Sequence, residues 1–143
     1  MKKYFYILFF GLIFTNYIPA QTVNNYLVIE VNNAVVNGGI VGVAFFSSAE
    51  SFRREQPDYF FEFEPVSATL TRIFPLPAGE YVISAYQDAN GNGIVDFGLF
   101  GIPKELVGVT NYFGRGFPSR NFDRQKILID RTTIKVSINL YSF

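Results

Sequence analysis

The chain contains no cysteine, no histidine and no tryptophan. Without cysteine there is no disulfide bond, and without cysteine or histidine the usual zinc sites are excluded. The commonest general base at neutral pH is also missing, which disfavours acid–base and nucleophilic catalysis. The chain instead has 17 Phe, 9 Tyr, 12 Gly and 7 Pro, a composition typical of a β-rich domain with many turns.

The N-terminus has the pattern of a secretory leader. Lys2 and Lys3 precede an apolar stretch over residues 4–14, which is too short to span a bilayer as a helix. Residues 15–20 are more polar and end in a small residue, Ala20. We therefore expect a signal peptide over residues 1–20 and export to the periplasm or the cell exterior, with no membrane span after cleavage.

The expected mature chain, residues 21–143, carries little net charge. Removing Lys2 and Lys3 leaves ten basic and twelve acidic side chains. A net charge near −2 gives no electrostatic basis for binding nucleic acid. The length predicts one domain with a single core.

Short apolar and alternating segments predict an all-β fold. Turn residues separate them, and the last segment alternates cleanly, with Ile134, Val136, Ile138 and Leu140 expected inward. In the aromatic segment 59–63 the same alternation predicts that Tyr59, Phe61 and Phe63 are buried and Phe60 is exposed. We expect an antiparallel β-sandwich, immunoglobulin-like or prealbumin-like, of seven or eight strands. The expected strands are 25–31, 40–46, 59–66, 68–74, 81–87, 106–112, 125–129 and 133–141, with a short helical turn capped by Ser48.

Residues 88–96 have the pattern of a loop that binds a cation. Oxygen-bearing groups recur at alternate positions, and Gly93 permits a sharp turn. The predicted calcium ligands are the side chains of Asp88, Asn90, Asn92 and Asp96 and the carbonyl of Ile94. The position that holds a bidentate Glu in an EF-hand is Leu99, so an EF-hand is not expected and binding would be weak. A further ligand would come from one of three acidic residues, Glu80, Glu105 or Asp123.

A simpler interpretation of the same loop involves no metal. Asp and Asn side chains commonly accept hydrogen bonds from nearby backbone N–H groups, while Gly takes a positive φ. On this interpretation residues 88–96 form an ordinary turn at the end of a hairpin. The sequence leaves both interpretations open.

Several motifs resemble one known bacterial family, domain of unknown function 2141 (DUF2141). They are the turn Leu76-Pro77-Ala78-Gly79-Glu80-Tyr81, the loop from Asp88 to Asp96, the segment from Phe100 to Glu105, Asn111, and the segment Gly116-Phe117-Pro118-Ser119 followed by Phe122 and Asp123. The resemblance implies a small exported protein without an established activity. Two features depart from the family pattern: Gln87 stands where relatives often have His, and Arg115, Arg120 and Arg124 alter the later segment.

These observations predict a non-enzymatic envelope module with a loop ordered by weakly bound calcium. The segments 88–96 and 102–123 would form its working surface at one end of the sandwich, toward an envelope protein or a glycan. The alternative is a structural or assembly protein without a metal site. A carbohydrate- or metal-dependent hydrolase using Asp88 and Asp96 is a distant third, because a Gly-rich loop does not fix two carboxylates across a cleft.

Overall fold

The computed structural model describes residues 25–130 and 134–143. The expected signal peptide, its cleavage point and residue 133 lie outside the described residues. Within them the chain forms eight strands, two short α-helices and one turn of 3-10 helix. In chain order these are β1 (Asn25–Asn32), β2 (Ile40–Phe46), α1 (Ala49–Arg53), β3 (Tyr59–Phe63), β4 (Thr69–Leu76), β5 (Gly79–Asp88), the 3-10 turn (Leu99–Gly101), β6 (Leu106–Val109), α2 (Phe122–Gln125), β7 (Ile127–Ile129) and β8 (Ile134–Asn139).

The strands form two sheets, which confirms the expected β-sandwich. One sheet has the order β4-β1-β8, and the other has the order β3-β2-β5-β6, with β7 paired to the start of β5. Neighbouring strands are antiparallel except β1 and β8, which run parallel. Beyond β8, Tyr141 forms a bridge with Val107 of β6, so the C-terminal segment joins the two sheets along one side.

A single apolar core lies between the sheets. β1 contributes Leu27, Ile29 and Val31 from one face, as its alternation predicts, and all three are buried. β8 contributes Ile138, while Ile134 and Val136 are half-buried against the same core. The second sheet supplies a run of buried residues from β2 and β5, including Phe45 and Ile83. Burial of this apolar surface is the main force that stabilises the fold.

The predicted burial of β3 is wrong for two of its aromatic residues. Tyr59 and Phe61 are exposed, and Phe63 is half-buried. β3 is an edge strand, so its side chains have neighbours on one side only. The ring of Phe61 still contacts Phe45 at 5.8 Å between centroids, whereas Phe60 stacks on Tyr86 on the opposite face of the sheet.

The outer face of the second sheet is covered near the start of β5. Val82 and Phe46 form a second, smaller cluster, against which Phe52 of α1 and Phe122 of α2 pack. The predicted cap of α1 is confirmed, because the Ser48 hydroxyl accepts a hydrogen bond from the N–H of Ser51 at 3.1 Å. α1 and α2 therefore cover the outer face near the start of β5, away from the strand's end at Asp88.

Candidate functional site

The segment 88–96, here called the Asp/Asn loop, begins where β5 ends. Asp88 is the last residue of β5 and pairs with Ile40 of β2. The chain returns to the sheet at Glu105, just before Leu106 of β6 pairs with Gln87 of β5. Residues 89–105 thus form one long connection whose two ends lie side by side.

The carboxylate of Asp88 organises the first turn of this connection. One of its oxygens accepts hydrogen bonds from the N–H groups of Gly91 at 2.7 Å and Asn92 at 3.2 Å, and the other accepts from Gly93 at 2.7 Å. The N–H of Gly93 first, and then those of Gly91 and Asn92, hold the pKa of Asp88 below its ordinary value. Both glycines adopt positive φ, which turns the chain around the carboxylate.

Asn90, Asn92 and Asp96 meet at the tip of the loop. The side-chain nitrogens of Asn90 and Asn92 donate to the same oxygen of Asp96, at 2.6 and 3.0 Å. Their side-chain oxygens accept from the N–H groups of Asn92 and Ile94, respectively, at 3.1 and 3.0 Å. The structure therefore brings together three of the predicted ligands, with the two amide oxygens directed at the backbone.

Glu105 closes the connection from the other side. Its carboxylate accepts from the N–H of Ala89 at 3.0 Å and from the N–H of Asp96 at 3.2 Å, so it holds both ends of the Asp/Asn loop. The side chain is buried, with 7% exposure. The N–H of Lys104 also donates to the carbonyl of Asp96 at 2.9 Å. Of the three acidic residues proposed as further ligands, Glu105 is the one that contacts the loop.

Glu80 and Asp123 are too distant to serve as ligands, which corrects that part of the prediction. Both bind the ammonium group of Lys126, each at 2.9 Å, and these contacts raise the pKa of Lys126. Glu80 lies eight residues before Asp88 on the same strand, a separation of roughly 26 Å. The segment 102–123 accordingly does not lie at one end of the sandwich: its start adjoins the Asp/Asn loop, and its end lies beside Glu80.

Two contacts next to the loop were not identified from the sequence. The hydroxyl of Tyr86 donates to the carbonyl of Gly93 at 3.2 Å. The side chain of Gln87 is buried, and its amide bonds the N–H and the carbonyl of Val35 at 2.8 and 2.7 Å. Gln87 therefore ties the β1–β2 connection to β5. A buried glutamine is difficult to recognise from sequence because its partner is a backbone 52 residues away.

The polar side chains of the loop already have hydrogen-bond partners within the protein, and calcium binding remains a prediction. In residues 25–130 and 134–143, no three Asp, Glu, His or Cys side chains group closely enough to hold a metal ion. Rotation of the two Asn amides would, however, direct two oxygens toward Asp96. Such a cluster of hard oxygen ligands suits calcium, although the rotation would break the amide bonds to the backbone.

The fold and this loop define the class: an all-β sandwich whose longest connection is held by buried carboxylates. The chain belongs to DUF2141, described as an uncharacterized protein conserved in bacteria, and the match covers residues 29–137. The resemblance drawn from the sequence motifs is thereby confirmed. Neither the curated proteins nor the solved structures gave a match. Among the described residues, no helix has the length and apolar character needed to cross a membrane.

Proposed function

We propose that this protein is an exported, non-enzymatic module that binds a partner in the bacterial envelope through the Asp/Asn loop. Export is supported by the pattern of residues 1–20, and a bacterial setting by membership of the family. The absence of His and Cys from the sequence excludes the catalytic constellations that use either residue. The protein would then act through a surface that binds another molecule.

The observation that carries this proposal is the double contact of Glu105 with Ala89 and Asp96. Long connections with little regular structure are uncommon in compact domains and are often functional. Here a buried carboxylate and the cap formed by Asp88 fix the connection in one shape. A rigid, exposed loop on a stable sandwich loses little conformational entropy on binding, which favours affinity.

Site-specific photo-crosslinking tests this proposal in the bacterium that encodes the protein. A photoreactive amino acid replaces Ile94 at the loop, and a matched variant carries it at Ile73 on β4, since both side chains are similarly exposed. We expect irradiation to give a discrete adduct with an envelope component from position 94 and none from position 73. Identical adducts from both positions, or none from position 94, would contradict the proposal.

A second candidate function is a calcium-ordered form of the same module. The convergence of Asn90 and Asn92 on Asp96 favours it. Extracellular sites of this kind bind at roughly 10⁻⁴–10⁻³ M. With a dissociation constant of about 0.1 mM, about 10 mM calcium should stabilise the fold by roughly 2.7 kcal/mol, and the melting temperature should rise by several degrees.

The calcium candidate is tested in the same preparation by thermal melts in calcium and in chelator. Asp96→Asn should abolish the shift, because it removes a charged ligand from the cluster. Glu62→Gln, the matched loss of one carboxylate on the exposed edge strand β3, should retain it. If calcium and chelator give the same melting temperature, the loop is a metal-free turn, and crosslinking at Ile94 still decides whether it binds a partner.

A further inference from the structure

Two shallow hollows adjoin each other, and the first lies next to the Asp/Asn loop. The first has a volume of about 430 Å³ and is lined by Leu99 and Phe100; the second, about 270 Å³, is lined by Phe117. Ile102 and Phe143 line both hollows, and the rings of Phe117 and Phe143 stack at 5.5 Å between centroids. We call these five residues the aromatic rim. They form one continuous apolar surface.

Two side chains of the aromatic rim are almost entirely exposed to solvent. Leu99 is 83% exposed and Phe100 is 96% exposed. The backbone of Phe100 has φ 63° and ψ 19°, a left-handed conformation that bulky residues rarely adopt, and Gly101 follows with φ 71°. The chain thus adopts an uncommon backbone geometry at a residue whose ring has almost no contact within the protein. Packing does not account for this arrangement.

The charged side chains on the rim's own segments are basic. Residues 97–104 and 112–120 contain Lys104, Arg115 and Arg120 and no acidic residue, while Asp96 and Glu105, which flank the first segment, accept hydrogen bonds within the Asp/Asn loop. Arg120 is partly compensated by Glu55 at 3.5 Å, while Lys104 lines the first hollow directly. This positive region stands out because the mature chain as a whole has a small negative net charge.

We propose that the aromatic rim docks the protein onto an anionic phospholipid surface. Side chains that project without fixed neighbours suit the fluid boundary between headgroups and acyl chains, which needs no shape complementarity. Basic side chains beside them match the negative charge of the lipid phosphates. A sugar site would instead need several polar groups converging on a concave surface. The proposal does not depend on what the Asp/Asn loop binds.

Vesicle flotation tests the docking directly. The protein is purified after export, and its N-terminus is determined by mass spectrometry so that the apolar leader does not contribute. The probes are vesicles of phosphatidylcholine alone and of phosphatidylcholine with about one third phosphatidylglycerol, a composition chosen to supply the negative surface charge that attracts basic residues. We expect binding to the anionic vesicles, and we expect Arg115→Gln to weaken it about fivefold.

Matched variants distinguish binding through the aromatic rim from nonspecific adsorption to the vesicles. Leu99→Ser should lower vesicle partitioning about tenfold, whereas Leu128→Ser, the same change at a 61% exposed site on β7, should leave it unchanged. Phe100→Gly should also reduce it about tenfold, and it keeps the left-handed backbone accessible, so the loop retains its shape. The proposal is overturned if the exported protein does not float with anionic vesicles, or if Leu99→Ser and Leu128→Ser have equal effects. It is also overturned if the aromatic rim instead mediates self-association, seen as a dimer that Leu99→Ser dissociates.

Discussion

Replacement of Glu105 by Gln tests how the Asp/Asn loop is held. The substitution keeps the size of the side chain but removes its charge and one of its two acceptor oxygens. In the native structure both oxygens accept backbone hydrogen bonds, from Ala89 and from Asp96, in a buried position. In the variant one N–H keeps an acceptor, and the other faces an amide nitrogen that cannot accept.

The size of the effect follows from those two bonds. A hydrogen bond to a charged group contributes roughly 1.5–3 kcal/mol net, and a neutral one about 1 kcal/mol. Converting one bond to the neutral kind and losing the other should destabilise the closed loop by about 2 kcal/mol, after allowance for partial rehydration of the freed N–H. Since 1.4 kcal/mol is a factor of ten, the N–H groups of Ala89 and Asp96 should exchange with solvent about 30-fold faster.

Residue-resolved hydrogen exchange measures this change. The control is Glu62→Gln, the same chemical change at an exposed position on β3. Exchange in the core, for example at Ile83, should change far less, because the loop opens without unfolding the sheets. Unchanged exchange at Ala89 and Asp96 in Glu105→Gln would refute the conclusion that this carboxylate fixes the loop.

Two further predictions concern the same region. Gly39→Ala should lower the free energy of unfolding by at least about 2 kcal/mol, because a β-carbon there would overlap the carbonyl of Asp88 and φ is +105°. The control is Gly91→Ala, at φ +75° in open space, which should lower it by only about 1 kcal/mol. Urea titrations measure both values, and equal losses would refute the steric argument. The pKa of Asp88 is lowered in the folded state, so the stability that it contributes is fully present above its ordinary value of 3.8 and is lost as the pH falls through its folded pKa. Exchange at the N–H of Gly93, corrected for the intrinsic pH dependence, should therefore accelerate on acidification in the native chain but not in Asp88→Asn, and the same pH response in both would contradict this assignment.

Much of the fold is predictable because its signals are local. Alternating apolar residues in β1 and β8, the turn before β5, and the Ser48 cap are each determined by a few neighbouring residues. The short helix α2 is not predicted, since four residues give too weak a pattern. The burial of β3 is mispredicted because alternation identifies the two faces of a strand, whereas the strand's position at a sheet edge decides how far each face is covered.

Some residues of the candidate site are also predictable from local sequence, whereas others depend on tertiary contacts. Asp88 and Gly93 are recognisable from their spacing, because an Asp that accepts bonds from the next few N–H groups is a local arrangement. The choice of Glu105 over Glu80 and Asp123 is not local. All three acidic residues are equally plausible in sequence, and the antiparallel return of β6 along β5 is what places Glu105 beside the loop.

The sequence by itself determined the class of fold, the family and the position of the Asp/Asn loop, because these depend on periodicity, turn chemistry and short motifs. Only the tertiary structure decided which residue closes that loop, since the pairing of β5 with β6 places Glu105 beside Ala89 and Asp96. It also decided the partnership of Gln87 with Val35, which joins β5 to a segment far away in the chain. The tertiary structure also assembled the aromatic rim. Leu99, Phe117 and Phe143 form one surface because the C-terminal segment crosses to β6 through the bridge of Tyr141 with Val107, a contact that no local pattern encodes.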